Sequence, residues 1–246
     1  MSRTDDVVNG IKRMILNGEL APGERLPVEK ELAAMLGVSR GSLREGVRAL
    51  SVLGVLHTRR GDGTYVTPLD LSLLLAPVGF VVELQVEGQT RQVHTVRRLL
   101  ECEAARLAAH SITDEALDEA EALLEEARSI LDSEPERHER IIEIDIAFHR
   151  IIAVHSDNQV LAGMIEALAS RTARERLWRS LREEGADRRT HEEHLAILRA
   201  LRARDSQAAE VRMANHLLGV EESLALGGAA TLPDPDPDAD SDDADD

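Results

Sequence analysis

Aromatic residues make up only 2% of this 246-residue chain, and it has a single cysteine. One thiol cannot close an internal disulfide, which excludes a secreted disulfide scaffold and makes a reducing cytoplasm the expected setting. No apolar run approaches the roughly 20 residues a membrane span needs, so no membrane partner is expected. The start, MSRTDDVVNG, lacks the basic-then-apolar pattern of a secretory signal. Sixteen glycines are far too few for a collagen-like fibre. What remains is a 43% apolar fraction, enough for packed cores in one large or two small domains.

Basic charge is also short overall, and the net charge of −17 looks hostile to nucleic acid. Its distribution reverses that impression. Residues 1–68 hold ten Lys/Arg against eight Asp/Glu, a net of +2, whereas residues 233–246 hold eight Asp and no base. The acidity lies outside a mildly basic N-terminal segment.

Pattern divides the chain into a segment of three short helices and a hairpin over residues 1–67, a linker at 68–76, an all-helical domain at 77–228 and an acidic tail at 229–246. Thr67-Pro68 marks the first join, because a residue before proline is pushed out of the helical region. The Pro/Asp tail has too little apolar surface to offset its ordering entropy and is expected to be disordered. The predicted fold class is mainly α: a winged helix-turn-helix, then an antiparallel bundle of six or seven helices.

In the first segment Ile11, Met14 and Ile15 give one helix a buried stripe. A second is predicted over Glu29 to Leu36, with Leu32, Met35 and Leu36 inward and Gly37 as its left-handed cap. Ser39 is a good N-cap for a third, carrying Leu43, Val47 and Leu50. Val55–Thr58 and Thr64–Thr67 read as strands around Arg59-Arg60-Gly61-Asp62-Gly63, a hairpin. Arg40, Arg44 and Arg48 form one stripe on the third helix, suited to phosphates or to guanine O6/N7 in a major groove. Ser39 and Ser42 are placed to donate to phosphate at its N-terminus, and Arg59 and Arg60 to reach the backbone or minor groove. Any one of these arginines alone is more often an ordinary surface residue; turn, stripe and basic wing in register argue otherwise.

The residues Gly18-Glu19-Leu20-Ala21-Pro22-Gly23-Glu24-Arg25-Leu26-Pro27, Glu31-Leu32-Ala33, Gly37-Val38-Ser39-Arg40, Leu43-Arg44-Glu45 and Gly61-Asp62-Gly63-Thr64-Tyr65-Val66 resemble the DNA-binding domain of GntR-family transcription regulators. That resemblance implies DNA contacts at Lys30, Arg40, Ser42, Arg44, Arg60 and Gly61. Val28 departs from the serine usual at the start of the second helix, and Lys30 from the usual arginine. Gly41 and Gly46 lie inside the third helix, where each costs up to about 1 kcal/mol relative to alanine, so that helix is expected to fray off DNA.

In the helical domain, expected helices run over about 71–86, 90–110, 113–132, 135–155, 157–184, 187–204 and 205–225. Asp145 and His149, four apart, project from one helix face, and His194 and His216 fall on two later helices. A carboxylate and three imidazoles from three helices make a reasonable set of ligands for a divalent metal. Each histidine alone is more often a hydrogen-bonded core or surface residue. Cys102 reads as a small packed residue, and His191 as an outer or exposed neighbour of His194.

Arg97-Arg98-Leu99-Leu100-Glu101, Asp145 to Phe148-His149, His155-Ser156-Asp157-Asn158, and His194 followed by His216 resemble the effector-binding (FCD) domain of the FadR-type branch of these regulators. The resemblance implies a zinc or nickel site at Asp145, His149, His194 and His216, and a small carboxylate effector held with help from Arg97. Without it, Arg97 reads as a helix-surface ion pair with Glu101. The implied function is that of a ligand-responsive regulator, most often a repressor, acting as a homodimer on a pseudo-palindromic double-stranded DNA operator and not as an enzyme. Two rivals stand beside it: a metalloenzyme using the Asp/His₃ cluster, and a metal-free regulator sensing an acyl or sugar-acid ligand.

Overall fold

The computed structural model describes residues 2–69, 90–169 and 173–227. The expected helix over 71–86, most of the 68–76 linker and the acidic tail lie outside the described residues.

Helix α1 (Arg3–Leu16) opens with a reciprocal cap: the Ser2 hydroxyl accepts from the Asp5 amide while the Asp5 carboxylate accepts from the Ser2 amide. It buries Val7, Ile11 and Met14 against α3. Helix α2 (Glu29–Leu36) lacks a side-chain cap at Val28, and ends at Gly37 in the left-handed region at φ 64°. Met35 departs from expectation: it is exposed, and Leu32 and Ala33 are buried instead. The inward direction of this two-turn helix falls between Leu32, Ala33 and Leu36, which leaves Met35 on the flank. Helix α3 (Arg40–Val52) is capped by Ser39, whose hydroxyl accepts from the Ser42 amide.

Despite its two glycines, α3 is a continuous helix. Gly46 is there for packing: a Cβ at this position would lie 2.4 Å from Val7 Cγ1. The intrinsic cost of the glycine is offset by letting α1 lie directly on α3.

Strands β1 (Leu56–Arg59) and β2 (Gly63–Val66) pair antiparallel, with Leu56 opposite Val66 and Arg59 opposite Gly63. The loop between α1 and α2 adds a third edge. Gly23 and Leu26 amides donate to the Val66 and Thr64 carbonyls, and the Val66 amide donates to Glu24. Leu20, Leu26, Leu32, Leu43, Leu50, Leu56 and Val66 close one core beneath helices and hairpin together. This is a winged helix-turn-helix, as the sequence predicts.

The second part comprises seven helices among the described residues: α4 (Thr90–Ser111), α5 (Asp114–Ser133), α6 (His138–Val154), α7 (Gln159–Ala169), α8 (Ala173–Arg182), α9 (Ala186–Arg202) and α10 (Ser206–Gly227). The single helix expected over 157–184 is described as α7 and α8, with 170–172 outside the described residues. Ala104, Ala105, Ala108 and Ala109 are buried on α4, and small side chains let α10 and α7 approach closely. Leu117, Leu124, Phe148, Ile152, Ile197, Leu201, Met213 and Leu217 fill the rest of the core. A core of alanine and branched aliphatics explains how the chain manages with so few rings. No helix among the described residues is long and apolar enough to cross a membrane.

Candidate DNA interface and candidate metal centre

Lys30, Ser39, Arg40, Arg44, Arg60 and Gly61 are exposed and Ser42 is half-buried, all on α2, α3 and the hairpin. Ser39 is already engaged: besides capping α3, its hydroxyl lies 3.0 Å from that of Ser42. Arg44 is engaged as well, with Nε donating to Glu29 Oε1 at 2.6 Å and Nη2 to Oε2 at 3.0 Å. A cleft of about 540 Å³ runs between α2, α3 and the hairpin, lined in part by Glu29, Arg44, Arg48 and Thr64.

The hairpin tip is held from below. Tyr65 donates its hydroxyl to Asp62 Oδ2 at 2.7 Å, and Arg59 lies over the Tyr65 ring at 4.6 Å. Arg25 donates to the Asp62 carbonyl and crosses Gly63, where a Cβ would stand 2.4 Å from Arg25 Nε. Gly63 is therefore fixed by a guanidinium lying on the backbone, and Gly61 by its positive φ of 80°. The effect is to present Arg60 and Gly61 at a rigid tip.

In the bundle, one face of α4 changes character along its length. Ala104, Ala105 and Ala108 are buried at one end, and His94, Arg97 and Glu101 at the other. Arg97 is only 1% exposed, so the reading of a helix-surface pair with Glu101 is corrected: both side chains are interior. Their i,i+4 spacing is the same in either case, and only the tertiary packing of α4 decides which face is covered. Glu101 in turn contacts His149 Nδ1 and so joins Arg97 to α6.

Asp145, His149, His194 and His216 are all buried, and one ligand atom from each lies within 4.8 Å of the others. The Nε2 atom of His194 sits 3.3 Å from that of His149, 3.4 Å from that of His216 and 3.4 Å from Asp145 Oδ1. The opposite nitrogens are spoken for. His216 Nδ1 lies 2.8 Å from Glu193 Oε2, and His149 Nδ1 contacts Glu101. An ionised carboxylate can only accept, so in both rings Nδ1 carries the proton and Nε2 presents a lone pair. Around His194 Nε2, two imidazole lone pairs and a carboxylate oxygen therefore converge, a set of electron donors suited to a cation. Tetrahedral bonds of about 2.0–2.1 Å to zinc place neighbouring nitrogens about 3.3 Å apart, so the donor set fits such an ion.

Electrostatics disfavour a positive charge on His216 and His194. Burial lowers His216 to about 4, against the opposing effect of the hydrogen bond it donates to Glu193. Burial, with His216 and His149 adding to it, holds His194 well below the usual imidazole range. Burial alone would raise Glu101, but the Arg97 charge and the His149 contact outweigh it and leave the carboxyl below its ordinary value. Two of the four candidate ligands, His194 and His216, thus favour the neutral form that a metal ion requires.

Three contributors escaped the sequence reading. Glu193 and Glu101 orient two of the imidazoles, and Arg176 on α8 pairs with Asp145 while its Nη2 donates to the Ala169 carbonyl at 2.7 Å. Glu193 stands one residue before His194 in a helix rich in charge, and nothing in its spacing singles it out. His191 is half-buried, and Cys102 packs partly against the core, both near expectation. Beside Asp145 and His216 a small cavity of about 30 Å³ is lined by Arg176, Arg179, Ser180 and Thr190, among others.

A winged helix-turn-helix followed by an all-helical body with a buried Asp/His cluster is the architecture of ligand-responsive DNA-binding regulators. Residues 3–66 match the bacterial regulatory proteins, gntR family, and residues 92–219 match the FCD domain. The chain is 33% identical over 217 residues to the HTH-type transcriptional regulator LutR of Bacillus subtilis, covering 86% of this chain and 96% of LutR. It is 30% identical over 219 residues to the galactonate operon transcriptional repressor of Escherichia coli, covering 85% and 91% of the two chains. A solved structure, Streptococcus agalactiae GntR, superposes with a TM-score of 0.67 at 27% identity, covering 89% of this chain and 99% of that one. The chain belongs to the GntR family of bacterial transcription regulators, in the branch carrying an FCD domain, and the metalloenzyme alternative gives way to regulation.

Proposed function

We propose that the chain is a metal-assisted, carboxylate-responsive repressor that binds a pseudo-palindromic operator as a homodimer in the cytoplasm. The carrying observation is the convergence of His149, His194 and His216 Nε2 atoms on Asp145, with Nδ1 partners fixing the tautomer of two rings. In this reading residues 1–67 read DNA and 77–228 sense the effector. Lys30, Ser39, Arg40, Ser42 and Arg44 meet the major groove and its phosphates, and Arg60 and Gly61 meet the flanking backbone.

A bound zinc or nickel ion supplies a concentrated positive charge for an organic acid. Arg97 adds a guanidinium that grips a carboxylate in two-point fashion, and Arg176 fills the space beside Asp145 that an effector needs. Displacing Arg176 from Asp145 gives the effector a preferred conformation of the bundle, which is the differential affinity that regulation requires. That one relative is named for the galactonate operon supports a hydroxy-acid effector. Val96 and Leu99 on α4 and Val211 and Leu218 on α10 are exposed on two helices that pack together, and they offer a face for a second copy.

The test pairs metal analysis of the purified protein with footprinting on its own upstream DNA. Wild type is expected to hold stoichiometric metal, lost in His149→Ala and His194→Ala, and to release DNA when an organic acid is added. Unchanged metal content in both variants removes the site from the proposal, and lack of protection at low salt removes the operator. Leu99→Glu with Leu218→Glu is expected to give a monomer by sedimentation, and a retained dimer places the interface elsewhere.

A further inference from the structure

Glu29 is an acidic side chain on the surface assigned to a polyanion. A carboxylate there repels phosphate, so its presence calls for a compensating task. Its two oxygens take Arg44 Nε at 2.6 Å and Nη2 at 3.0 Å, a two-point contact across fifteen residues between α2 and α3. The pair remains open to solvent, with the Arg44 side chain 70% exposed. Hydrogen bonding to Arg44 holds the Glu29 carboxyl below its ordinary pKa, and the nearby Arg40 charge adds to this.

A guanidinium has two useful edges. Glu29 takes the side edge, Nε with Nη2, and leaves unused the end edge formed by Nη1 and the second Nη2 hydrogen. The end edge is a pair of parallel donors, the pattern that matches guanine O6 and N7. An arginine held this way is less suited to swing onto a phosphate, because swinging breaks two charge-assisted bonds. We propose that Glu29 is a positioning residue that aims Arg44 end-on at a guanine and so sets the base preference of the recognition helix at that position. This rests on the reading above that Arg44 faces the major groove.

The experiment uses the full-length protein and a duplex selected by the wild type from a randomised library, beside a scrambled duplex of equal length. Arg44→Ala is expected to weaken the selected duplex and flatten preference at one guanine. Glu29→Gln and Glu29→Ala are expected to flatten preference at that same guanine and weaken the selected duplex about tenfold. Affinity of these two variants for the scrambled duplex stays level or rises, because a negative charge is gone. In the Arg44→Ala background, Glu29→Ala is expected to change no base preference further. The Glu29 side chain is 44% exposed and Glu29→Gln keeps the shape, so melting temperature serves as the fold control. Unaltered preference in both Glu29 variants, with Arg44→Ala still selective in its loss, overturns the inference alone. Equal tightening on both duplexes does the same, since Glu29 then acts only by charge. An Arg44→Ala protein that keeps every base preference overturns the major-groove reading of Arg44 and the inference together.

Discussion

Phe148 stacks on His194 with ring centroids 4.6 Å apart and planes 27° from parallel. Phe148 is fully buried and comes from α6, the helix that also carries Asp145 and His149. This buried ring therefore sets the tilt of an imidazole arriving from α9. Aliphatic packing can fill the same volume, but it does not orient a ring plane.

Glu193 orients His216 from a half-open position, since its side chain is 34% exposed and the imidazole is 2% exposed. Glu193→Gln is expected to weaken metal binding about 10- to 100-fold while leaving the fold intact, as loss of a carboxylate partner behind a ligating imidazole does elsewhere. Competition titration with a chromogenic chelator measures it. An affinity equal to wild type dissociates Glu193 from the centre.

His94 is buried with its Nε2 atom lacking a hydrogen-bond partner, and burial, reinforced by Arg97 and Arg176, lowers its pKa to about 4. Its folded value lies below the unfolded one of about 6.5, so the unfolded chain takes up the proton first. Stability is full above the unfolded value and declines as pH falls toward 4. Metal-free His94→Gln is expected to lose that share of the slope, about 1.4 kcal/mol per pH unit inside the window. Denaturant melts of both proteins from pH 7 to 4 test this, and parallel curves refute it.

Gly46→Ala is expected to destabilise the N-terminal domain by about 1–3 kcal/mol, since its Cβ meets Val7 at 2.4 Å. Val7→Ala in the same chain opens the space and is expected to recover part of the loss, a non-additive pair. Thermal melts of the single and double variants decide it, and simple additivity contradicts the contact.

Tyr65→Phe removes the hydroxyl that donates to Asp62 in the hairpin turn. The bond is exposed and its loss is expected to cost the fold under about 1 kcal/mol. DNA affinity is expected to fall several-fold, because the Arg60 tip is then less restrained. Anisotropy titrations at fixed salt, beside thermal melts, separate the two effects, and unaltered affinity disconnects the Tyr65 clasp from binding.

The winged domain was legible almost to the residue, because caps and turns are local chemistry: Ser39 and Gly37 bound their helices where the sequence puts them. Met35 was not, since two turns of helix carry too few apolar positions to fix a direction. In the bundle, Asp145 and His149 declare themselves by spacing, whereas His194 and His216 lie 45 or more residues further on, and only the packing of α9 and α10 brings them to the other two. By spacing alone Arg97 and Glu101 read as a surface pair, because i,i+4 spacing says nothing about what covers it; the burial of both depends on how α4 packs. Glu193 and Arg176 act across helices, and contacts of that kind arise only once the helices have packed.

Residues 23–26 are laced to the hairpin by backbone bonds to Thr64 and Val66, and Arg25 braces its turn. The wing is thus the outer two-thirds of a three-part ribbon whose remaining edge lies before α2. Chimaeras that transplant residues 56–66 alone between relatives sever that ribbon. Retargeting by modular exchange calls for both stretches to travel as a single cassette.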